Sequence, residues 1–241
     1  MNKLQLPQVT LICIDCVDSY RAIKVLDKCQ EQIDFGAIKL LTNIPTDYKH
    51  RVKIKPLNTL ISYSIFCLTK LHEYIDTDYL LIVQRDGFII NPSSWDDNWL
   101  KYDYISPLFV QYPKVGSGGF SLRSKKLMQN VASNTPEWDW SQKQADEIQK
   151  IQNYYEDGVI CLSGLYTSFK IAPPEEAAKF AQGGNDDERY FYDKPFGFHG
   201  VINNIDHNTG IVSPVCEHGG SSCECVKPHL EYLLWEEKIK A

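Results

Sequence analysis

Asp86 stands where a carboxylate can take part in chemistry. It follows the apolar run Tyr79–Val83, a predicted buried strand, and precedes Gly87. Because ligands of parallel sheets bind at the carboxyl ends of the strands, we expect this side chain to project into a crevice. Hard cations such as Mg²⁺ or Mn²⁺ bind one or two carboxylates together with phosphate oxygens, so Asp86 is a candidate metal ligand. The alternative is an ordinary Asp-Gly turn.

Two more segments carry groups that could move a proton or bind a metal. Glu156 and Asp157 precede a predicted helix, where a carboxylate can act as a general base toward an acceptor hydroxyl or can simply cap the helix. His199 ends the short apolar strand Phe196–His199. It is either a hydrogen-bonded structural residue or a metal ligand, and Asp86 would then be its partner. Position alone does not decide between these alternatives.

Two other patterns have more than one interpretation. Residues 116–119 include Gly118 and Gly119, and such glycines permit either close approach of a ligand or a simple turn. They match neither the phosphate-loop pattern nor the dinucleotide-binding pattern. Near the C-terminus, thiols and imidazoles could form a structural Zn²⁺ site, although their spacing differs from the common patterns, and the alternative is a tail with free thiols. These residues are Cys216, His218, Cys223 and Cys225.

The elements that must position these residues alternate between strand and helix. Apolar runs predict strands at residues 9–16, 37–41, 52–54 and 79–83. Helices are predicted at residues 20–30, capped by Asp18 or Ser19, and after a cap at Asn58 or Thr59. This alternation predicts an α/β fold with a mainly parallel central sheet flanked by helices. Asp86 would then lie at the carboxyl edge of that sheet.

Composition excludes some classes of protein. The chain has 241 residues, of which 43% are hydrophobic and 23% charged, and a formal net charge of -6. No basic stripe indicates nucleic-acid binding. No apolar stretch reaches the roughly 18–20 residues of a membrane span, and the N-terminus lacks the apolar region of a secretory signal. We therefore expect a cytoplasmic protein, which could still act at the inner membrane face, with reduced core cysteines at positions 13, 16, 29, 67 and 161.

Taken in order, these segments resemble a poorly characterised bacterial and viral family of glycosyltransferases of the GT-A type. The resemblance covers about residues 7–200, and its marks are Pro7–Thr10, Gln32–Gly36, Tyr74–Tyr79, QRDGFIINP at 84–92, Tyr102–Ile105, GSGGFSLRS at 116–124, Glu156-Asp157 with Cys161, and FGFHG at 196–200. The string GSGGFSLRS is the most telling, because many sugar transferases place a Gly-Gly-Phe segment against the acceptor and the donor sugar.

The resemblance implies a GT-A-like domain over residues 1–200 and a C-terminal extension over 201–241. About residues 1–95 would bind a nucleotide-sugar donor, and residues 96–200 would hold a glycan or lipid-linked acceptor. Asp86 and His199 would bind Mn²⁺ or Mg²⁺, and Asp157 or Glu156 would deprotonate the acceptor hydroxyl with inversion at the sugar carbon. The implied donor-binding residues are Ile14, Asp15, Asp18, Arg21, Tyr63, Arg85, Asp86, Gly118 and Gly119.

One segment departs from the family pattern. The usual Asp-x-Asp metal motif is Gln84-Arg85-Asp86 here, so the first aspartate is missing. A cation at position 85 could weaken metal binding or partly replace the metal. Two other functions therefore stay open: a non-catalytic nucleotide- or sugar-binding protein, and a nucleotidyltransferase. The latter would need a glycine-rich basic loop that residues 15–21 lack. For an active transferase, surface-polysaccharide or lipopolysaccharide assembly is the expected pathway.

Overall fold

A six-stranded sheet forms the centre of the protein in the computed structural model. The structure describes residues 3–109, 114–134, 155–183 and 188–200, and the backbone of 205–206 and 211–212. The sheet order is β3-β2-β1-β4-β6-β5. Its strands are β1 (Leu4–Ile14), β2 (Ile33–Thr42), β3 (Arg51–Lys53), β4 (Tyr79–Val83), β5 (Tyr104–Ile105) and β6 (Ser121–Ser124).

The direction of the strands creates a crevice beside β1. Strands β3, β2, β1 and β4 are parallel, whereas β6 runs antiparallel to both β4 and β5. From β1 the chain first builds outward through β2 and β3, and then crosses to β4 on the other side. Such a reversal is a topological switch point, where the loops after the two central strands separate and leave room for a ligand.

Helices cover both faces of the sheet. They are α1 (Ser19–Gln30), α2 (Leu60–Thr69), α3 (Lys125–Asn134), α4 (Glu156–Leu162) and α5 (Pro174–Phe180). Asp18 caps α1 by accepting a hydrogen bond from the backbone N–H of Arg21. Thr59 and Ser62 form a reciprocal capping box at the start of α2. In the described residues, no helix combines the length and the apolar character needed to span a bilayer.

Alternation along the central strands divides the core into two layers. On β1, Leu11 and Cys13 pack into one cluster with α1, while Ile12 and Ile14 pack into the other with α2 and α3. Strand β4 alternates in the same way over residues 80–83. Both faces are therefore buried, which explains why these strands are continuous apolar runs rather than alternating ones.

Shorter elements complete the second half of the described chain. Strands β7 (Ala181–Gln182) and β8 (Gly197–Phe198) pair in parallel, and β9 (Ile205–Asp206) pairs antiparallel with β10 (Ile211–Val212). Four 3₁₀ turns occur among the described residues, at Leu71–Tyr74, Pro92–Ser94, Asp97–Lys101 and Glu188–Tyr190. Trp99, Phe120, Phe180 and Phe196 form a buried aromatic cluster with ring centroids 5.1–6.1 Å apart. Through Phe120 this cluster fixes the chain directly after the glycine-rich segment 116–119.

The predicted fold class is confirmed: the protein is a mixed α/β structure with a mostly parallel sheet flanked by helices. Several predicted boundaries were wrong. Strand β1 is Leu4–Ile14 rather than 9–16, and β2 is Ile33–Thr42 rather than 37–41. The carboxylates Glu156 and Asp157 do not precede a helix but form its first turn. The division of the chain near residue 200 stays a prediction. The proposed zinc ligands Cys216, His218, Cys223 and Cys225 lie outside the described residues.

Candidate active site

A cavity of about 400 Å³ opens at the switch point of the sheet. It lies between the segment that follows β1, the start of α2 and the segment that follows β4. Its lining residues are Ile14, Asp15, Cys16, Val17, Leu57, Asn58, Thr59, Leu60, Tyr63, Gln84, Arg85 and Asp86. A cavity of this size lies within the range that binds small organic ligands.

The charged groups in the cavity come from the ends of β1 and β4. Asp15 is buried, and its Oδ1 accepts hydrogen bonds from the backbone N–H groups of Val17 (2.7 Å) and Asp18 (2.8 Å). Its Oδ2 lies 3.7 Å from Nη1 of Arg85, whose side chain is 39% exposed. The Arg85 guanidinium is therefore held at the cavity wall and can still turn toward an anionic ligand.

Asp86 sits in a tight turn that the FGFHG segment supports. Gln84 and Gly87 exchange backbone hydrogen bonds of 2.8 and 3.0 Å, which closes the turn around Arg85 and Asp86. The backbone N–H of Gly200 donates to the carbonyl oxygen of Asp86 at 2.8 Å. A Cβ atom at Gly87 would lie 2.9 Å from Cδ2 of His199. The structure thus brings Asp86 and His199 side by side, although they are far apart in the chain.

Both ring nitrogens of His199 have partners. Nδ1 lies 2.7 Å from the hydroxyl of Ser117, and Nε2 lies 3.2 Å from Oε1 of Gln84. Gln84 also donates from Nε2 to the hydroxyl of Tyr63 at 3.0 Å. Since Oε1 of Gln84 can only accept, the proton of His199 belongs on Nε2, and Nδ1 accepts from Ser117. Burial lowers the pKa of His199, although the negative charge of Asp86 acts in the opposite direction. The lowered pKa favours the neutral form of the ring.

These partners bear on where a metal could bind. A metal ion on His199 would have to displace the hydroxyl of Ser117 or the amide of Gln84. Among the described residues, no group of three or more His, Cys, Asp or Glu side chains is placed to hold an ion. Asp86 does line the cavity, and a divalent cation that arrives with phosphate oxygens needs only one or two carboxylates. Asp86 therefore fits a ligand-borne Mg²⁺ or Mn²⁺, while metal binding by His199 stays a prediction.

The glycine-rich segment lies between the cavity wall and a second pair of carboxylates. A Cβ atom at Gly119 would collide with Nε2 of His199 and lie 2.5 Å from Oε1 of Gln84. A Cβ atom at Gly118 would lie 2.5 Å from Oε1 of Glu156. The two glycines are thus required by close packing on both sides. They connect the cavity residue Gln84 to the start of α4.

Asp157 has the protonation behaviour expected of a general base. Its Oδ2 accepts from the backbone N–H of Gly118 (2.9 Å), and its Oδ1 accepts from that of Gly158 (2.7 Å). Burial and the neighbouring charge of Glu156 raise the pKa of Asp157 to about 7. A base with a pKa near the working pH combines a usable fraction of the charged form with a strong pull on the proton. The residue as a whole is half-buried.

Glu156 is occupied in a different way. It is 5% exposed, and its Oε1 lies 3.1 Å from Nη2 of the fully buried Arg123. This carboxylate is engaged in a buried ion pair, and taking it away from Arg123 would leave the arginine charge unpaired. Between the two carboxylates that the sequence left open, the geometry favours Asp157 as the base.

The predicted donor-binding residues fall into two groups. Ile14, Asp15, Tyr63, Arg85 and Asp86 line the cavity. The other four do not line it. Asp18 and Arg21 form an ion pair of 3.4 Å at the start of α1. Gly119 lies behind Gln84, and Gly118 lies against Glu156 and Arg123. The sequence patterns did not identify three residues as parts of the site: Ser117, Gln84 and Arg123. The last could have been noticed as a charged residue in the short buried strand β6.

Comparison with known proteins places the chain in a family. Residues 49–199 match the model of the family described as protein of unknown function (DUF5672), and the chain belongs to that family. The match begins before β3 and ends at His199, so it includes the segments that follow β4, the glycine-rich segment and α4. No curated protein sequence matches the chain.

Solved structures with similar folds include two glycosyltransferases. One is the mannosyltransferase PcManGT from Pyrobaculum calidifontis in complex with GDP-Man and Mn²⁺, at 9% identity, a TM-score of 0.44, and coverage of 73% of this chain and 58% of that chain. Another is apo GlyE, a glycosyltransferase of Streptococcus pneumoniae, at 12% identity, a TM-score of 0.49, and coverage of 94% and 60%. A third is the bifunctional IspDF from Campylobacter jejuni, at 15% identity, a TM-score of 0.37, and coverage of 58% and 47%.

The present chain thus spans about three fifths of the length of the two glycosyltransferases, 58% and 60%. All three TM-scores are below 0.5.

Proposed function

We propose that the protein is a glycosyltransferase that moves a sugar from a nucleotide-sugar donor to an acceptor hydroxyl, with Asp157 as the general base. The strongest support is that two features lie on opposite sides of Gln84, Gly118 and Gly119. One is the cavity at the switch point of the sheet, which is lined by the guanidinium of Arg85 and the carboxylates of Asp15 and Asp86. The other is the Asp157 carboxylate, held by the backbone N–H groups of Gly118 and Gly158, whose pKa burial and the charge of Glu156 raise to about 7.

The donor would occupy the cavity. Its nucleoside would lie against the segment after β1 and the start of α2, near Asp15 and Tyr63. Its diphosphate would meet Arg85, whose guanidinium offers several N–H donors to phosphate oxygens. Asp86 would hold Mg²⁺ or Mn²⁺ jointly with those oxygens. When bound, such an ion supplies positive charge that stabilises the leaving diphosphate.

The transfer step assigns one task to Asp157. Its carboxylate takes the proton of the acceptor hydroxyl while the acceptor oxygen forms a bond to the anomeric carbon of the sugar. The bond from that carbon to the diphosphate oxygen breaks, and the nucleoside diphosphate leaves with the electron pair. If base and leaving group lie on opposite sides of the sugar carbon, the configuration inverts, by the geometric logic known from glycoside hydrolysis. A glycan or lipid-linked acceptor in surface glycan or lipopolysaccharide synthesis, at the inner membrane face, belongs to the same proposal.

Asp86→Ala tests the role of the cavity carboxylate. We expect this variant to lose roughly 10²–10³-fold in the rate of donor hydrolysis and transfer, because several kcal/mol of charge stabilisation would be removed. The rate of nucleoside diphosphate release measures it. A matched control is Asp34→Ala, since Asp34 lies on the second residue of β2, at the opposite edge of the sheet, and pairs with Lys3. Unchanged turnover in Asp86→Ala would reject the role of Asp86.

A further inference from the structure

Arg123 connects the glycine-rich segment to the carboxylates of α4. From the buried end of β6, its Nε donates to the hydroxyl of Ser121 at 2.9 Å, and its Nη2 donates to the carbonyl oxygen of Gly118 at 3.2 Å. Ser121 donates to the same carbonyl at 2.8 Å. The amide of Gly118 in turn donates to Asp157. Gly118 is therefore held from two sides, at its N–H by Asp157 and at its carbonyl oxygen by Arg123.

Glu156 completes this arrangement. Its carboxylate pairs with Nη2 of Arg123, the same nitrogen that contacts Gly118. Both side chains are buried, with exposures of 0% for Arg123 and 6% for Glu156. A fully buried ion pair is costly to desolvate and does not by itself favour stability. Its position directly behind the proposed base therefore suggests a task other than stability.

We propose that Arg123 and Glu156 are positioning residues: Arg123 fixes Gly118 against Asp157, and the charge of Glu156 keeps Asp157 ready to accept a proton. The expected effect on kcat rests on the proposed function, whereas the expected effect on the titration of Asp157 does not. The arrangement of charges can be tested in the free protein.

Among the residues that the structure describes, the other titratable groups around Asp157 are neutral. Tyr104 on β5, Cys67 on α2 and Cys161 on α4 are the neighbours whose pKa values respond to Asp157. Burial raises the pKa of each of them, so none carries charge between pH 5 and 8. Within the described part of the chain, the charges that act on Asp157 are therefore the negative one on Glu156 and the positive one on Arg123.

The direction of the expected effect follows from these two charges. Glu156 opposes ionisation of Asp157 and raises its pKa, whereas Arg123 acts the other way and more weakly. In Glu156→Gln, the opposing charge is gone and Arg123 is no longer neutralised. Both changes stabilise the Asp157 carboxylate, so its titration midpoint should fall by about one pH unit or more. Glu156→Asp keeps the charge and should leave the midpoint close to that of the wild type.

The test is a titration of Asp157 by ¹³C NMR in protein labelled at the aspartate carboxyl carbons, with the resonance assigned from Asp157→Asn. Glu176→Gln is the matched control, because it removes a glutamate from a 3.0 Å surface ion pair with Lys179. The proposal expects a lowered midpoint in Glu156→Gln alone. If that variant does not fold, the double variant Arg123→Gln with Glu156→Gln should show a smaller fall. A midpoint equal to that of the wild type in the folded variants would overturn the proposal.

Enzyme kinetics provide a second test of the proposal. Arg123→Lys keeps the charge but cannot donate to Gly118 and Ser121 with the same planar fork, so kcat should fall while the donor KM stays unchanged. In Glu156→Gln, the decline of kcat/KM on the acidic side of its pH profile should shift to lower pH together with the NMR midpoint of Asp157. If the NMR midpoint moves and this decline does not, the positioning inference stands and Asp157 is not the base. Unchanged kcat in Arg123→Lys would reject the role of Arg123.

Discussion

Asp157→Asn is expected to slow sugar transfer by roughly 10²–10⁴-fold, the usual contribution of a positioned general base. Asparagine keeps the shape of the side chain and can still accept one backbone hydrogen bond, but it cannot take a proton from the acceptor hydroxyl. Donor binding should persist, because Asp157 is not among the residues that line the cavity. Single-turnover kinetics combined with donor affinity separate the two effects.

The pH dependence of the wild type belongs to the same prediction. With a pKa of about 7, Asp157 is protonated in mildly acidic solution and charged above neutrality. Transfer should therefore fall as the pH drops below about 7 and should level off above it. In Asp157→Asn the residual rate should no longer fall as the pH drops below about 7. A variant that transfers sugar at the wild-type rate would show that another group removes the proton.

Gly119→Ala is expected to have the second large effect. A methyl group at this position would collide with Nε2 of His199 and press on Gln84, two side chains that hold the turn at Asp86. Either the turn or the glycine-rich segment must move. Since a displacement of about 1 Å can cost roughly 10²-fold in rate, we expect a loss of that order in transfer. Comparison of the transfer rate with thermal stability measures whether the damage is local to the site.

Gly164→Ala is a useful control for this variant. Gly164 has a φ of +76° and nothing within 4 Å of its missing Cβ, so alanine there brings strain without a clash. It should lower stability by about 1–2 kcal/mol and leave the transfer rate unchanged. If Gly119→Ala behaves in the same way as Gly164→Ala, the glycine-rich segment has no role in the site.

The sequence predicts much of the first half of the fold because its signals are local and agree with one another. The run Tyr79–Val83 is buried on both faces, and its bounds as a strand match those of β4. The caps at Asp18 and Thr59 also match, since each side-chain oxygen finds its backbone N–H within three residues. Capping and apolar periodicity depend on neighbours in the chain, which a sequence contains.

Other features depend on contacts between distant parts of the chain. The hydrogen bonds of His199 with Ser117 and Gln84 span 82 and 115 residues. Nothing near His199 indicates that both of its nitrogens are occupied. Helix α5 was not predicted either, although Pro174 at its start is typical of a first helical position. The buried pairing of Arg123 with Glu156 likewise joins two segments that only the folded chain brings together.

The most direct test of the account is a thermal-shift comparison of the wild type and Arg85→Ala with UDP-, GDP-, CMP- and dTDP-sugars, each with Mn²⁺. Because a ligand that binds the native state raises apparent stability, we expect at least one nucleotide sugar to raise the Tm of the wild type by several degrees. The shift should be much smaller in Arg85→Ala, which lacks the cavity cation. No shift with any nucleotide sugar, or equal shifts in both proteins, would contradict the proposal that this cavity binds a sugar donor.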